Sequence, residues 1–75
     1  KHEAKTDLRL SSLTSRELEI LEILSQGYSN RKIAGKLEIS DNTVKFHLKN
    51  IFEKIQVDNR TQAVAFYNQL QKEKL

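Results

Sequence analysis

The stretch SDNTVKFHLKNIFEKI, Ser40 to Ile55, decides how the chain is read. Val44, Leu48, Ile51 and Ile55 recur in steps of four, three and four, the spacing that lays apolar side chains along one stripe of an α-helix. Phe46 is off that stripe. At about 100° per residue it points about 200° away from Val44, and Asn42, Lys45, Lys49 and Glu53 share its outer face. Such a helix buries one side against a core and offers a phenylalanine between two lysines to its surroundings. Two explanations compete: Phe46 folds down onto the preceding helix as satellite core, or it waits for a partner.

Working outward, the flanking segments are helical as well. Thr14 and Glu17 have the spacing of a capping box, with Leu13 and Leu18 placed for the accompanying hydrophobic staple. Leu18, Leu21 and Leu24, widened by Ile20 and Ile23, carry a first helix to Gly27, where a left-handed residue ends it. Ser29 caps a second helix that runs to about Leu37, with Ile33, Ala34 and Leu37 facing inward. The break "EIS" follows, and Ser40 caps the third helix, which runs to about Ile55. After the turn "QVDN", Asn59 and Gln62 form a second capping-box-like pair, opening a fourth helix whose core face is Ala63, Phe66, Tyr67 and Leu70. Proline is absent and so is β-type alternation. The expected fold is all-α, four helices over residues 13–75, preceded by a linker or disordered end at residues 1–12 that has no sustained period.

Composition narrows the function classes. A 75-residue chain buries only about 60% of the surface its unfolded form exposes, so its single core must be compact. Cysteine is absent, and His2 and His47 have no companion ligands at metal-binding spacing, so no metal site, cofactor site or disulfide is expected. No apolar run approaches the ~18 residues of a membrane span, and no signal peptide is visible; the expected setting is the cytoplasm. The absence of methionine suggests a piece of a longer chain. Serine, histidine and aspartate are present without a nucleophile or metal arrangement, so no catalytic residue is assigned and an enzyme is not expected. The net charge of +3 is unevenly spread: residues 29–60 hold seven basic and four acidic side chains, residues 1–28 four and five. A basic central block suits a polyanionic partner.

Two helices joined by about three residues at a steep angle form the helix-turn-helix unit, whose second helix can enter the DNA major groove. Ala34 is small where the helices cross, Val44 enters the same junction ten residues later, and Leu37 and Ile39 flank the turn. Glu38 stands where such turns often carry glycine, because the backbone there takes positive φ; some strain is expected. The outer face of the third helix then has a use. Lys45, Lys49 and Asn42 supply donors for base edges, and Phe46 supplies an apolar contact for a thymine methyl.

The segments LTSRELEIL, GYSNRKIAGKLEIS, NTVKFHLKNIFEKIQV and NRTQAV, from Leu13 to Val64, resemble the DNA-binding domain of LuxR-type transcriptional regulators, also called the FixJ/NarL or GerE type. The resemblance implies a four-helix domain that binds double-stranded DNA, usually as a homodimer, at the C-terminus of a larger response-regulator-like protein. It puts Lys45, Phe46 and Lys49 at base edges and Ser29, Asn30, Thr43, His47 and Lys54 near phosphates. It also makes the fourth helix a dimer contact, for which Thr61, Val64, Ala65 and Asn68 are the face outside the core stripe. Departures from the family pattern are Lys32 where an acidic or amide residue is usual, Glu38 where glycine is common, and KIQV where KLGV is typical. The competing function is a helix-turn-helix used for protein contact, such as docking on RNA polymerase, which would tolerate loss of both outer lysines.

Overall fold

The computed structural model describes residues 9–73, with side chains described for residues 9–72. Four main helices follow one another: α1 (Ser15–Ser25), α2 (Asn30–Leu37), α3 (Asp41–Ile55) and α4 (Arg60–Glu73). A single helical turn at residues 9–11 precedes them, and no strand occurs among the described residues.

Each helix begins where a side chain can satisfy its orphan N–H groups. Thr14 Oγ1 accepts from the Glu17 backbone N–H (3.1 Å), and Glu17 Oε1 accepts in return from that of Thr14 (2.9 Å). Ser29 Oγ accepts from Lys32 N (3.2 Å) and Ser40 Oγ from Thr43 N (3.0 Å). At α4, Asn59 Oδ1 accepts from Gln62 N (2.9 Å), but Gln62 Oε1 reaches Asp58 N (2.7 Å) rather than Asn59, so the expected box closes one residue early.

The ends of α2 and α3 share one geometry. Glu38 (φ 58°, ψ 44°) and Gln56 (φ 62°, ψ 48°) are both left-handed. In each case the next N–H reaches back five residues, Ile39 to Ala34 O and Val57 to Phe52 O, both 3.0 Å, the bond of a Schellman ending. The strain expected at Glu38 is therefore present, and it occurs a second time at Gln56. That second site gives physical content to the KIQV departure, since glycine would hold this conformation without a Cβ penalty. Gly27, at φ 96°, closes α1 as its sequence position suggested.

The core is one cluster drawn from all four helices: Ile20, Leu21 and Leu24 from α1, Ile33 and Ala34 from α2, Val44, Leu48, Ile51 and Ile55 from α3, Ala63, Phe66 and Leu70 from α4. Full burial of an aliphatic side chain is worth about 1.5–3 kcal/mol, so the α3 stripe fixes which face of that helix is left outside. Tyr67, expected in the core, is half-buried. Burial, followed by the charge of Glu22 and a hydrogen bond to it, raises the Tyr67 pKa and links α4 to α1.

Residues 1–8, read from sequence as linker, lie outside the described residues. Residues 9–12, given the same reading, are tied to the domain. Arg9 Nη1 donates to Ile55 O (2.8 Å) and its guanidinium lies 4.5 Å from the Phe66 ring centroid; Leu10 packs against the core. Periodicity could not reveal this, because a single turn is too short to have any.

Candidate nucleic-acid interface

Two elements build the face. The α2–α3 connection is three residues long, residues 38–40, closed by the left-handed Glu38 and reopened by the Ser40 cap. Ala34 and Val44 are both buried at the junction, so the two helices are locked by packing and α3 has one orientation. With Val44, Leu48, Ile51 and Ile55 turned inward, Asn42, Lys45, Phe46, Lys49 and Glu53 are exposed together.

Phe46 is 62% exposed and is the only large apolar side chain so exposed among the described residues. The alternative in which it folds onto α2 is therefore excluded. Leaving it outside forgoes burial worth on the order of 2 kcal/mol. Its ring meets that of His47 edge-on, 6.1 Å between centroids. Lys45 and Lys49 form no ion pair among the described residues, even though Glu53 lies one turn beyond Lys49.

The residues assigned near phosphates divide. Ser29 and Ser40 cap α2 and α3, and Thr43 Oγ1 lies 2.9 Å from Ser40 Oγ; a capped helix N-terminus is an end that favours an anion. The Asn30 side-chain oxygen accepts from Arg60, whose other nitrogen donates to Tyr28 O (3.1 Å). Asn30 is half-buried, and this bond leaves its amide N–H groups without a part in it. Arg60 was not singled out in the sequence; its place in NRTQAV, at the start of a helix, does not reveal that it bonds back to α2. His47 is half-buried.

Lys54 is different. Its Nζ lies 2.7 Å from Glu17 Oε1, and Glu17 is the one buried charged residue of the described chain, at 5% exposure. Burial alone would raise the Glu17 pKa; the hydrogen bonds from Lys54 and the Thr14 backbone, with the Lys54 charge, outweigh it and hold the carboxyl below its ordinary value. Because Lys54 is already paired with a buried carboxylate, we assign it to the seam between α1 and α3 rather than to the phosphate set proposed below. The sequence marked Glu17 as a capping residue and Lys54 as a surface cation; nothing in their spacing revealed that α1 and α3 bring them together.

On the last helix, Thr61, Ala65 and Asn68 are exposed, whereas Val64 is half-buried and packs on the core. Among the described residues no group of histidine and carboxylate side chains is placed to hold a metal ion, and no helix is long and apolar enough to cross a membrane; His2 lies outside the described residues.

A three-residue turn between two packed helices, the second presenting cations and an exposed aromatic, defines a helix-turn-helix domain of the DNA-binding kind. More narrowly, the chain belongs to the luxR family of bacterial regulatory proteins, whose family model matches residues 11–67. It is 61% identical over 56 residues to the CsgBAC operon transcriptional regulatory protein of Escherichia coli (strain K12), covering 75% of this chain and 26% of that protein. It is 52% identical over 58 residues to the probable transcriptional regulatory protein SgaR of Hyphomicrobium methylovorum, covering 77% and 28%. To the transcriptional regulatory protein DegU of Brevibacillus brevis it is 53% identical over 56 residues, covering 75% and 24%. The chain spans about a quarter of the length of these curated relatives. The family is one of DNA-binding transcription regulators, not a class of enzymes.

Proposed function

We propose that this chain is the sequence-reading part of a larger transcription regulator of the cytoplasm, binding double-stranded DNA with α3 in the major groove. Lys45 and Lys49 donate to guanine O6 and N7, Asn42 pairs with an adenine edge, and Phe46 covers a thymine methyl. Ser29, Asn30, Thr43 and His47 meet the flanking phosphates and fix the register of α3, in keeping with the two capped helix N-termini beside them. The observation that carries this reading is the outer face of α3: an aromatic side chain left 62% exposed beside two lysines that have no carboxylate partner among the described residues. Each bidentate base contact contributes about 1–3 kcal/mol of discrimination.

Two copies pair on the DNA through α4, with Thr61, Ala65, Asn68 and the outer edge of Val64 in contact. That strip is small against the ≈ 800 Å² per partner of a standard interface, so the contact is weak alone and gains from the effective concentration that DNA provides. Contact with RNA polymerase would follow from the role that the relatives' names give them. Selection of bound duplexes from a random pool tests the reading. It should recover two half-sites about one helical turn apart; recovery of no preferred sequence would reject it.

A further inference from the structure

A second set of unpaired cations lies on α2. Ile33 and Ala34 are buried, and on the opposite side of the helix Arg31, Lys32, Gly35 and Lys36 are all exposed. None of the three cations forms an ion pair among the described residues. With Tyr28 and Ser29 they line an open groove of about 660 Å³. Its floor is Gly35, where an added Cβ would meet nothing within 4 Å. Its wall is the half-buried Tyr28, over whose ring Lys36 Nζ stands 4.9 Å from the centroid.

The chemistry of this groove is mixed. A DNA backbone needs donors and charge, which Arg31 and Lys32 could give, but it makes no use of an aromatic wall above a hollow without a side chain. Lys36 also lies six residues beyond Asn30, about 9 Å along the axis from the helix end that approaches phosphate. An acidic peptide uses all of it: carboxylates on the cations and one apolar side chain seated over Gly35 against the Tyr28 ring. We propose that the outer face of α2 docks an acidic segment of a second protein, one carrying an aromatic or aliphatic side chain between its carboxylates. The groove shares Ser29 with the phosphate set, whereas Tyr28, Gly35 and Lys36 lie outside both that set and the outer face of α3.

The test uses the isotope-labelled 75-residue chain with three probes: a short Asp/Glu-rich peptide containing one Phe, the same peptide with Ala in its place, and a mixed-sequence DNA duplex. The Phe peptide should shift backbone amides of residues 28–36 and leave those of residues 42–49 in place, and the Ala peptide should bind several-fold more weakly. Gly35→Gln fills the hollow without changing charge and favours the helix, so it should keep the native spectrum and duplex affinity while weakening the Phe peptide about tenfold. Lys36→Gln should weaken it by a similar factor. The proposal is overturned if the peptide leaves residues 28–36 unshifted, if it shifts residues 42–49 instead, or if Gly35→Gln binds it as well as the parent chain. It is overturned equally if Gly35→Gln or Lys36→Gln lowers duplex affinity as much as peptide affinity, because the face is then a DNA contact.

Discussion

Lys49 and Lys54 stand five residues apart on one helix, and they do opposite things. Lys49 is exposed and has no ion-pair partner among the described residues; Lys54 closes a 2.7 Å ion pair with a buried carboxylate of α1. About 140° of helical rotation separates them, and that rotation carries the chain from a face that waits for a partner to a seam that already has one. A lysine's role here is set by what faces it across the fold, not by the helix it belongs to. The two regions should therefore respond differently to the same substitution.

The largest difference is expected in stability. Lys54→Ala leaves the Glu17 carboxylate buried without its cation and should destabilise the domain by about 2 kcal/mol, less than a fully buried pair because the lysine side chain is itself partly exposed. Lys49→Ala should stay within about 0.5 kcal/mol of the parent. Urea midpoints at constant slope measure both. Adding Glu17→Gln to Lys54→Ala should recover part of the loss, on the order of 1 kcal/mol, since a neutral amide keeps the capping bond and needs no counter-charge. A double variant as unstable as the sum of its parts would mean that the pair is not coupled.

The same contrast has a pH signature. The folded Glu17 pKa is held below its ordinary value of 4.5, so the folded state binds that proton less readily than the unfolded state. The pair's stabilisation is present above pH 4.5 and is lost as pH falls from there through the depressed folded value. Melting temperatures of the parent should drop across that acid window more steeply than those of Glu17→Gln. Parallel curves would remove Glu17 from the account.

Smaller effects are expected at the two helix ends. Glu38→Gly and Gln56→Gly relieve a left-handed Cβ clash but loosen the unfolded chain, for a net gain of about 0.5–1 kcal/mol each. Thermal denaturation reads the sign, and a lower melting temperature in either variant would show that its side chain repays the strain through contacts of its own.

Much of this was legible before any coordinates. Thr14, Ser29, Ser40 and Asn59 mark helix starts because a side-chain oxygen one residue outside a helix is a local device, and local devices are written in consecutive residues. The α3 stripe followed from one periodicity, which put Phe46 on the outer face; that it stays exposed there, rather than folding onto α2, needed the structure. Glu38 was legible because a turn of three residues between Ala34 and Val44 forces a left-handed residue. The features that escaped are those joining residues distant in sequence: Lys54 to Glu17, 37 residues away, Arg9 to Ile55, 46 away, and Arg60 to Tyr28, 32 away. Each is a long side chain bonding across helices, and no spacing rule reports which helix faces which. Gln56 escaped for a different reason: its neighbours fit a turn of several kinds, and only the backbone shows which one is used.

The most direct measurement is DNA binding by Lys49→Ala beside Lys54→Ala, on a selected site and on variants of it, over a range of salt. If α3 reads bases through its outer face, Lys49→Ala lowers specific affinity by about 1–3 kcal/mol and relaxes the choice at one or two base pairs. Lys54→Ala, measured where it is folded, keeps both the base preference and the salt slope of the parent. The account is contradicted if Lys49→Ala binds every sequence equally weakened, or if the salt slope falls by about one when Lys54, and not Lys49, is removed.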